Sequence, residues 1–159
     1  MRYRWLWLFT FPAMLLGGCQ EAAPPAMKPL DYTQSRDVAD AIANDLIQND
    51  VKDLFKRLDV GFQMVVKNED DVKKVLQKMY AESGPPIECD FKISKTTIRK
   101  DGVWERPCRV LWYAVRTKKF EKGKYFLKVE IVPAFGGKTL DTSGFGILSF
   151  KGDVPEYLQ

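Results

Sequence analysis

Cysteine is the side chain of this sequence with the most distinctive chemistry. The 159 residues include three cysteines, Cys19, Cys89 and Cys108, and no histidine. Without histidine the commonest general base is missing, and so are the Ser-His-Asp and Cys-His arrangements of nucleophilic catalysis. Cysteines without histidine also offer too few of the ligands that zinc prefers. The sequence therefore predicts neither a metal site nor a cofactor, and it favours thiols that are modified or paired.

Cys19 follows a segment with the layout of an export signal. Arginines stand at positions 2 and 4, an apolar run covers residues 5–16, and two glycines come directly before the cysteine. A basic start, a short apolar core and small residues before a cut are typical of secretory signals. At about 1.5 Å per residue the run covers roughly 18 Å. A hydrocarbon core is about 30 Å thick, so the run is too short for a transmembrane helix.

The residues Leu16-Gly17-Gly18-Cys19 resemble the bacterial lipobox. In that family the chain is cut before the cysteine, whose thiol is diacylated and whose new amino group is acylated. The resemblance implies a signal peptide over residues 1–18 and a lipid-modified Cys19. An ordinary secretory signal that is cut elsewhere is the alternative. Gln20 stands where the family uses Asp for retention in the inner membrane, so we expect a periplasm-facing protein anchored in the outer membrane.

Beyond the signal, the composition fits a tether and a single domain. Residues 19–32 are rich in proline and alanine and predict a semi-extended tether. Residues 33–159 suit one domain with its own core. Between Asp90 and Glu130 twelve Lys/Arg stand against five Asp/Glu, which indicates either charges that face the acidic helical half or lie in water, or a basic sheet surface for anionic envelope groups. The expected partners are the membrane through the lipid, and an envelope protein or an anionic envelope component; no nucleic acid is expected.

Cys89 and Cys108 remain in the exported domain. In an oxidising compartment an even pair is most simply a disulfide. A tight hairpin near Gly102 would hold these two thiols roughly 20 Å apart along the strands, beyond disulfide reach. Pro107 cannot donate within a central strand, which favours a wide loop over residues 95–107 instead. We therefore expect that loop and a Cys89–Cys108 disulfide, with two buried thiols as the alternative.

The first half of the domain has helical periodicity. Apolar residues recur at helical spacing, and Asn49 and Gly61 interrupt the pattern. Thr33 or Ser35 is expected to cap the first helix, and Asn68 the last one. We expect helices over residues 33–48, 51–60 and 69–83, and a short strand or extended link over residues 62–66.

From Ile87 the period of the apolar residues changes to two, which is typical of strands. The fold class is therefore α+β: two to three N-terminal helices packed on a curved four-stranded antiparallel meander. Turn signals stand at residues 101–102, 122–123 and 136–137. The expected strands cover residues 87–93 with an extension to 97, 108–117, 124–133, and 145–150 with a start near 139.

This order of elements resembles the cystatin-like and nuclear-transport-factor-2-like folds. The matching stretch runs from the helical region Ile42–Phe62, with its break at Asn49, through the strands to Phe150. The resemblance implies a cone-shaped domain in which helices pack on one side of a curved sheet. It carries no catalytic residue onto any position of this chain.

Pairing the last three strands through short turns places apolar side chains on both faces of the sheet. The helices can cover one face, so the other needs a lid, a ligand or a second subunit, unless curvature and the loop over residues 95–107 bury it. A face of mixed aromatic and basic residues is the candidate binding surface, for an envelope component or for a second copy in a homodimer. Its candidate residues are Arg109, Tyr113, Phe126, Lys128 and Phe145.

Glu130 is the candidate for catalysis. Members of the resembled fold place a carboxylate in the sheet cavity for proton transfer, and the expected register puts Glu130 beside Tyr113. A small enzyme with Glu130 as its base is therefore the alternative function, and it requires a buried carboxylate with a raised pKa. A solvated carboxylate near Lys128 is the simpler interpretation. We expect a non-enzymatic lipoprotein that acts by binding.

Overall fold

The computed structural model describes residues 30–101, 104–134, 139–150 and 153–159. The expected signal peptide, Cys19, most of the tether and the turn glycines at positions 102, 136 and 137 lie outside these residues. The predicted α+β class is confirmed, because helices precede a four-stranded antiparallel sheet of order β1-β2-β3-β4. The elements are α1 (Tyr32–Gln48), α2 (Val51–Lys56), α3 (Val60–Val65), α4 (Glu69–Ser83), β1 (Pro86–Asp101), β2 (Trp104–Thr117), β3 (Tyr125–Pro133), β4 (Leu140–Ser149) and a final 3-10 turn, η1 (Glu156–Leu158).

Each of these four helices begins with a side-chain cap, an oxygen that accepts an N–H of the first turn. Asn68 caps α4 as predicted. Asp31, rather than Thr33 or Ser35, caps α1 through a 2.8 Å bond from Gln34 N. Asn49 ends α1 with a left-handed φ of 56°, a conformation that asparagine tolerates better than most residues. The four caps are Asp31, Asp50, Asp59 and Asn68.

The segment after α2 differs from the prediction. Gly61 and the apolar residues after it form α3, so the expected end at Gly61 and the strand or link behind it are wrong. Leu58 instead makes an isolated parallel bridge to Thr142 of β4. Asp59 N donates to Thr142 O at 2.9 Å, and Thr142 N donates to Arg57 O at 2.8 Å. A one-residue bridge leaves no periodic signal, so this tie of the helices to the sheet could not be predicted.

The strands β1 and β2 form one long hairpin, and the loop expected over residues 95–107 does not exist. Cys89 pairs with Val115, and Thr97 pairs with Cys108. The distance along β2 from Cys108 to Val115 is therefore roughly 23 Å. Both thiols are free, so the expected disulfide is wrong; Cys108 is buried as in the alternative, whereas Cys89 is only partly buried.

Pro107 fits this hairpin because of where β3 ends. The pairing of β2 with β3 begins at Arg109, so Pro107 lies where β1 is the neighbour of β2 in the sheet. Proline is tolerated in edge strands, because only one side of such a strand needs ladder bonds. The proline that favoured a loop therefore marks the end of the three-stranded region.

The connection between β2 and β3 is longer than the predicted two-residue turn at 122–123. It spans residues 118–124, and Thr117 Oγ1 closes it by accepting two backbone N–H bonds of 3.2 and 3.1 Å. The register then pairs Val115 with Tyr125, odd numbers with odd. A two-residue turn at 122–123 would pair odd numbers with even. A change of one residue turns every side chain of a strand to the other face, so the predicted faces of β3 are exchanged.

The main core lies between the helices and one face of the sheet. Fully burying such aliphatic side chains stabilises the fold by about 1.5–3 kcal/mol each. Its largest fully buried aliphatic members include Ile42, Leu46 and Leu54 from the helices and Leu111, Leu127 and Ile131 from the strands. We call this side of the sheet the helix face, and it carries Leu111, Tyr113, Leu127 and Val129. The other side is the open face, and it carries Trp112, Phe126, Lys128 and Glu130.

Candidate functional site

The C-terminal segment covers one half of the open face. Leu158 of η1 is buried against Ala114 and Phe126. Trp112 packs at the margin of this cluster, and its ring centroid lies 6.2 Å from that of Phe150. The sequence allows several kinds of cover for this face, and the C-terminal segment of the chain itself provides part of one.

The other half of the open face is a cleft of about 250 Å³. Its walls include Lys128 and Glu130 of β3 and Leu148 of β4, which is 43% exposed. Its floor contains Gly144 and Gly146, which pair in register with Glu130 and Lys128. A Cβ atom added at Gly146 would meet no atom within 4 Å. The two glycines thus leave backbone exposed where the neighbouring strand carries side chains.

The charges of the cleft form one ion-pair row. The Glu130 carboxylate accepts from Arg99 Nη1 and also pairs with Lys128 Nζ. Arg99 Nη1 donates to Ser143 Oγ as well, at 3.1 Å. An ammonium group has three N–H donors, so Lys128 can keep its contact with Glu130 and still donate to a ligand oxygen. The cleft therefore combines a positioned cation, open backbone and the apolar side chain of Leu148.

The five residues predicted as one binding face lie on both sides of the sheet. Phe126 and Lys128 are on the open face, whereas Arg109, Tyr113 and Phe145 are on the helix face. Tyr113 and Phe126 are each only 1% exposed. The prediction of a single surface is therefore wrong, and its cause is the exchanged parity of β3. Lys128 and Phe145 both line the cleft, and Lys128 is the one of the two that lies on the open face.

Tyr113 connects the sheet to α1. Its hydroxyl donates to Asp40 Oδ1 at 2.7 Å, and Arg36 Nε donates to the same carboxylate. The Arg36 guanidinium also lies 3.7 Å from the ring centroid of Phe91. Burial, with the bond to Asp40, raises the pKa of Tyr113 above its usual value, so the phenol stays protonated. These contacts hold α1 on the sheet.

Arg109 holds the start of the described chain. Its Nη2 donates to the carbonyl of Leu30 at 2.7 Å, and its Nη1 donates to Ser94 Oγ at 3.1 Å. Its guanidinium lies 5.5 Å from the ring centroid of Tyr32. The residue predicted to bind a partner instead fixes the point where the tether meets the domain.

Glu130 does not lie beside Tyr113. The two side chains are on opposite faces of the sheet, and the predicted contact of Glu130 with Lys128 is the one that forms. The pair on which the enzymatic alternative depended is therefore absent. The thiols are poor nucleophiles too, because burial raises the pKa of Cys89 to about 12 and that of Cys108 to about 11.

A second surface, which the sequence analysis missed, is the outer side of α3. Val60, Met64 and Val65 are 55%, 75% and 77% exposed. Gln63, in contrast, turns toward α2 and donates from Nε2 to the carbonyls of Phe55 and Leu58. A surface helix normally buries its apolar residues, whereas on α3 Phe62 packs inward and these three apolar side chains face solvent. The apolar residues 62–66 are the available signal in the sequence, but their pattern predicts a strand or link.

Metal sites, membrane spans and known relatives add no further candidate. Among the described residues, no three Cys, Asp or Glu side chains gather as metal ligands would. No helix in the described part of the chain has the length and apolar character needed to cross a bilayer. Comparison with protein-family models, with characterised proteins and with solved structures finds no match for this chain.

Proposed function

We propose that this protein is a lipid-anchored, non-enzymatic binding module of the bacterial cell envelope. The lipobox-like residues that end at Cys19 support the anchor. The proline-rich tether leads to Leu30, where Arg109 fixes the start of the domain. In this proposal the domain faces the periplasm, and Gln20 favours the outer membrane over the inner one. The lipid decides where the protein lies, and the domain decides what it contacts.

The observation that carries the binding function is the uncovered half of the open face. Among the described residues, the segment around Leu158 covers one part of this face, and none covers the cleft between Lys128 and Leu148. The cleft suits a ligand with an anionic group for Lys128 and a flat or extended part that lies over Gly146. A segment of an envelope protein or an anionic envelope component has this chemistry. Glu130 serves here to position the lysine rather than to transfer protons.

The anchor is tested by replacing the modified thiol. Cys19→Ser should abolish incorporation of a palmitate analogue and leave an uncleaved precursor or a soluble product. Cys89→Ser is the matched control, because it removes a thiol that lies within a strand and should leave labelling unchanged. Cys19→Ser protein that still carries the label and still partitions with membranes would contradict the anchor.

The cleft is tested by photocrosslinking in intact cells. A photoreactive side chain at Leu148 should give a discrete adduct, and one at the exposed Lys118, which lies on the β2–β3 loop outside the cleft lining, should not. Gly146→Phe fills the cleft, and Lys128→Glu reverses its cation, so either change should remove the adduct. Ser149→Phe is the control for added bulk, since Ser149 is exposed on the same strand outside the cleft lining. An adduct unaffected by both cleft variants, or none at all, contradicts the binding site; an adduct with a second copy identifies a homodimer.

A further inference from the structure

We propose that the outer side of α3 is the surface through which the domain rests on the lipid bilayer. This inference depends on the lipid anchor of the proposed function, but it concerns another surface than the cleft. The outer side of α3 contacts the boundary between the acyl chains and the headgroups of the membrane that holds the anchor. Val60, Met64 and Val65 would enter that boundary.

The exposed apolar residues of α3 are held outward by specific contacts. Asp59 caps the helix through a 2.8 Å bond from Phe62 N, and its other oxygen pairs with Arg106. Gln63 fixes the inner side by two hydrogen bonds to carbonyls of the preceding segment. The Phe62 ring packs on Phe145, with 6.1 Å between centroids. The helix therefore cannot bury Met64 by turning without breaking these bonds.

The tether brings this surface within reach of the membrane. Cys19 stands eleven residues before Leu30, so an extended tether spans at most about 40 Å. Leu30 is fixed by Arg109, and α3 is fixed by Arg106 through Asp59. These arginines are three residues apart on β2, a distance of roughly 10 Å along the strand. The start of the domain and α3 thus lie at the same end of β2.

The size of the patch favours a bilayer over a second protein. A stable protein interface buries about 800 Å² on each partner, and three side chains of a six-residue helix are too few for that. A domain that is already tethered meets the membrane at a high effective concentration, so a small apolar contact is sufficient. Interfacial binding of such a helix scales with the apolar area that it buries.

The charges near α3 indicate that anionic lipid is not the main attraction. Lys67 is exposed just after the helix, but Glu69, Asp70 and Asp71 follow it in the first turn of α4. Mixed charges of this kind partly cancel at a membrane surface. The contact should therefore persist in vesicles without anionic lipid and at raised salt concentration.

The test uses the lipidated mature chain in vesicles of phosphatidylethanolamine and phosphatidylcholine. An environment-sensitive fluorophore is attached at Met64→Cys and, as the control, at Lys118→Cys on the loop at the other end of the sheet. The unsubstituted chain measures whatever label its own thiols take up. We expect a blue-shifted, several-fold brighter probe at position 64, quenched by brominated acyl chains, and an unchanged probe at position 118.

Each other result overturns the inference in a distinguishable way. If the chain floats with the vesicles but both probes report water, the bilayer contact is wrong and the anchor stands. If the chain does not float, the anchor and the contact fail together. If the probe at position 64 is shielded from water but is not quenched by brominated acyl chains, the bilayer does not cover α3. Energy transfer between labelled copies that is abolished by added unlabelled chain would then show that a second copy covers α3 instead.

Discussion

Thr97 and Cys108 face each other across β1 and β2, so a Thr97→Cys variant should close a disulfide with Cys108. Directly opposite residues of antiparallel strands have Cα atoms about 4.5–5.5 Å apart. That separation lies within the range of about 4.4–6.8 Å found in disulfides, whereas Cys89 lies roughly 23 Å from Cys108 along the strands. The cross-link would close a loop of about a dozen residues and add at most about 3 kcal/mol on the chain-entropy account.

The assay is intact mass after incubation with oxidised glutathione, followed by urea unfolding with and without reductant. Thr96→Cys is the matched control, because the neighbouring position points to the other face and pairs with Arg109. We expect the loss of two hydrogens and a higher unfolding midpoint in Thr97→Cys alone, with both effects reversed by reductant. A Cys89–Cys108 disulfide in the unsubstituted chain, or equal cross-linking of the control, would refute the register.

Three further substitutions test other parts of the structure by urea denaturation. Tyr113→Phe removes the bond to Asp40 and should cost about 1.5–3 kcal/mol, since its acceptor is a carboxylate. Leu158→Ala should lower the free energy of unfolding by about 2–4 kcal/mol, because the Leu158 side chain is fully buried against the open face. Burial raises the pKa of Asp45, although Arg57 partly opposes it, so the folded chain binds that proton more tightly than the unfolded chain. The resulting stabilisation is present below about pH 4 and is lost as pH rises through the folded pKa, so Asp45→Asn should gain stability relative to the unsubstituted chain over that rise.

The parts of the fold that could be predicted from the sequence are those with local causes. The break at Asn49 and the cap at Asn68 depend on the conformational preference of one residue and on a bond over three residues. The change of apolar period at Ile87 depends on the geometry of helix and strand alone. These signals were sufficient for the α+β class and for the order of its elements.

The candidate binding face was predicted wrongly because the side chains of β3 were assigned to the wrong faces of the sheet. Gly123 does turn the chain, with φ of 93°, but it lies inside a seven-residue loop rather than in a two-residue hairpin. β2 ends at Thr117, whose hydroxyl accepts two N–H bonds from the loop. These bonds take the place of further strand pairing. Nothing periodic distinguishes these two arrangements in the sequence. Consequently Tyr113 was predicted beside Glu130, although the two lie on opposite faces.

The exposed apolar side of α3 could not be predicted for a different reason. Periodicity shows which side of a helix is apolar, but it does not show which side meets the core. Gln63 is held inward by its hydrogen bonds to the carbonyls of Phe55 and Leu58, in the segment just before α3. This arrangement depends on the bridge between Leu58 and Thr142, which pairs residues far apart in sequence. A tertiary contact therefore decides the orientation of a local element.

Gly146 is expected to lower the stability of the fold and to favour ligand binding. A glycine within a strand weakens it, because the unfolded chain gains conformational freedom and no side chain packs. Its φ is not positive, whereas Gly84 and Gly123 are the glycines with positive φ in the described residues. A Cβ at this position would also meet no atom within 4 Å. Neither backbone conformation nor space in the folded chain requires glycine here.

Gly146→Ala should therefore stabilise the isolated protein by about 0.4–1 kcal/mol, measured by urea unfolding. If the cleft receives a ligand that lies on the backbone, the same methyl group should weaken photocrosslinking at Leu148 in cells. Gly144→Ala is the comparison, because its methyl group would stand 3.4 Å from Glu130 Oε2 and has less room. A more stable variant that crosslinks as well as the unsubstituted chain would show that the open backbone has no part in binding. Stability gained together with binding lost would place the reason for this glycine in the ligand.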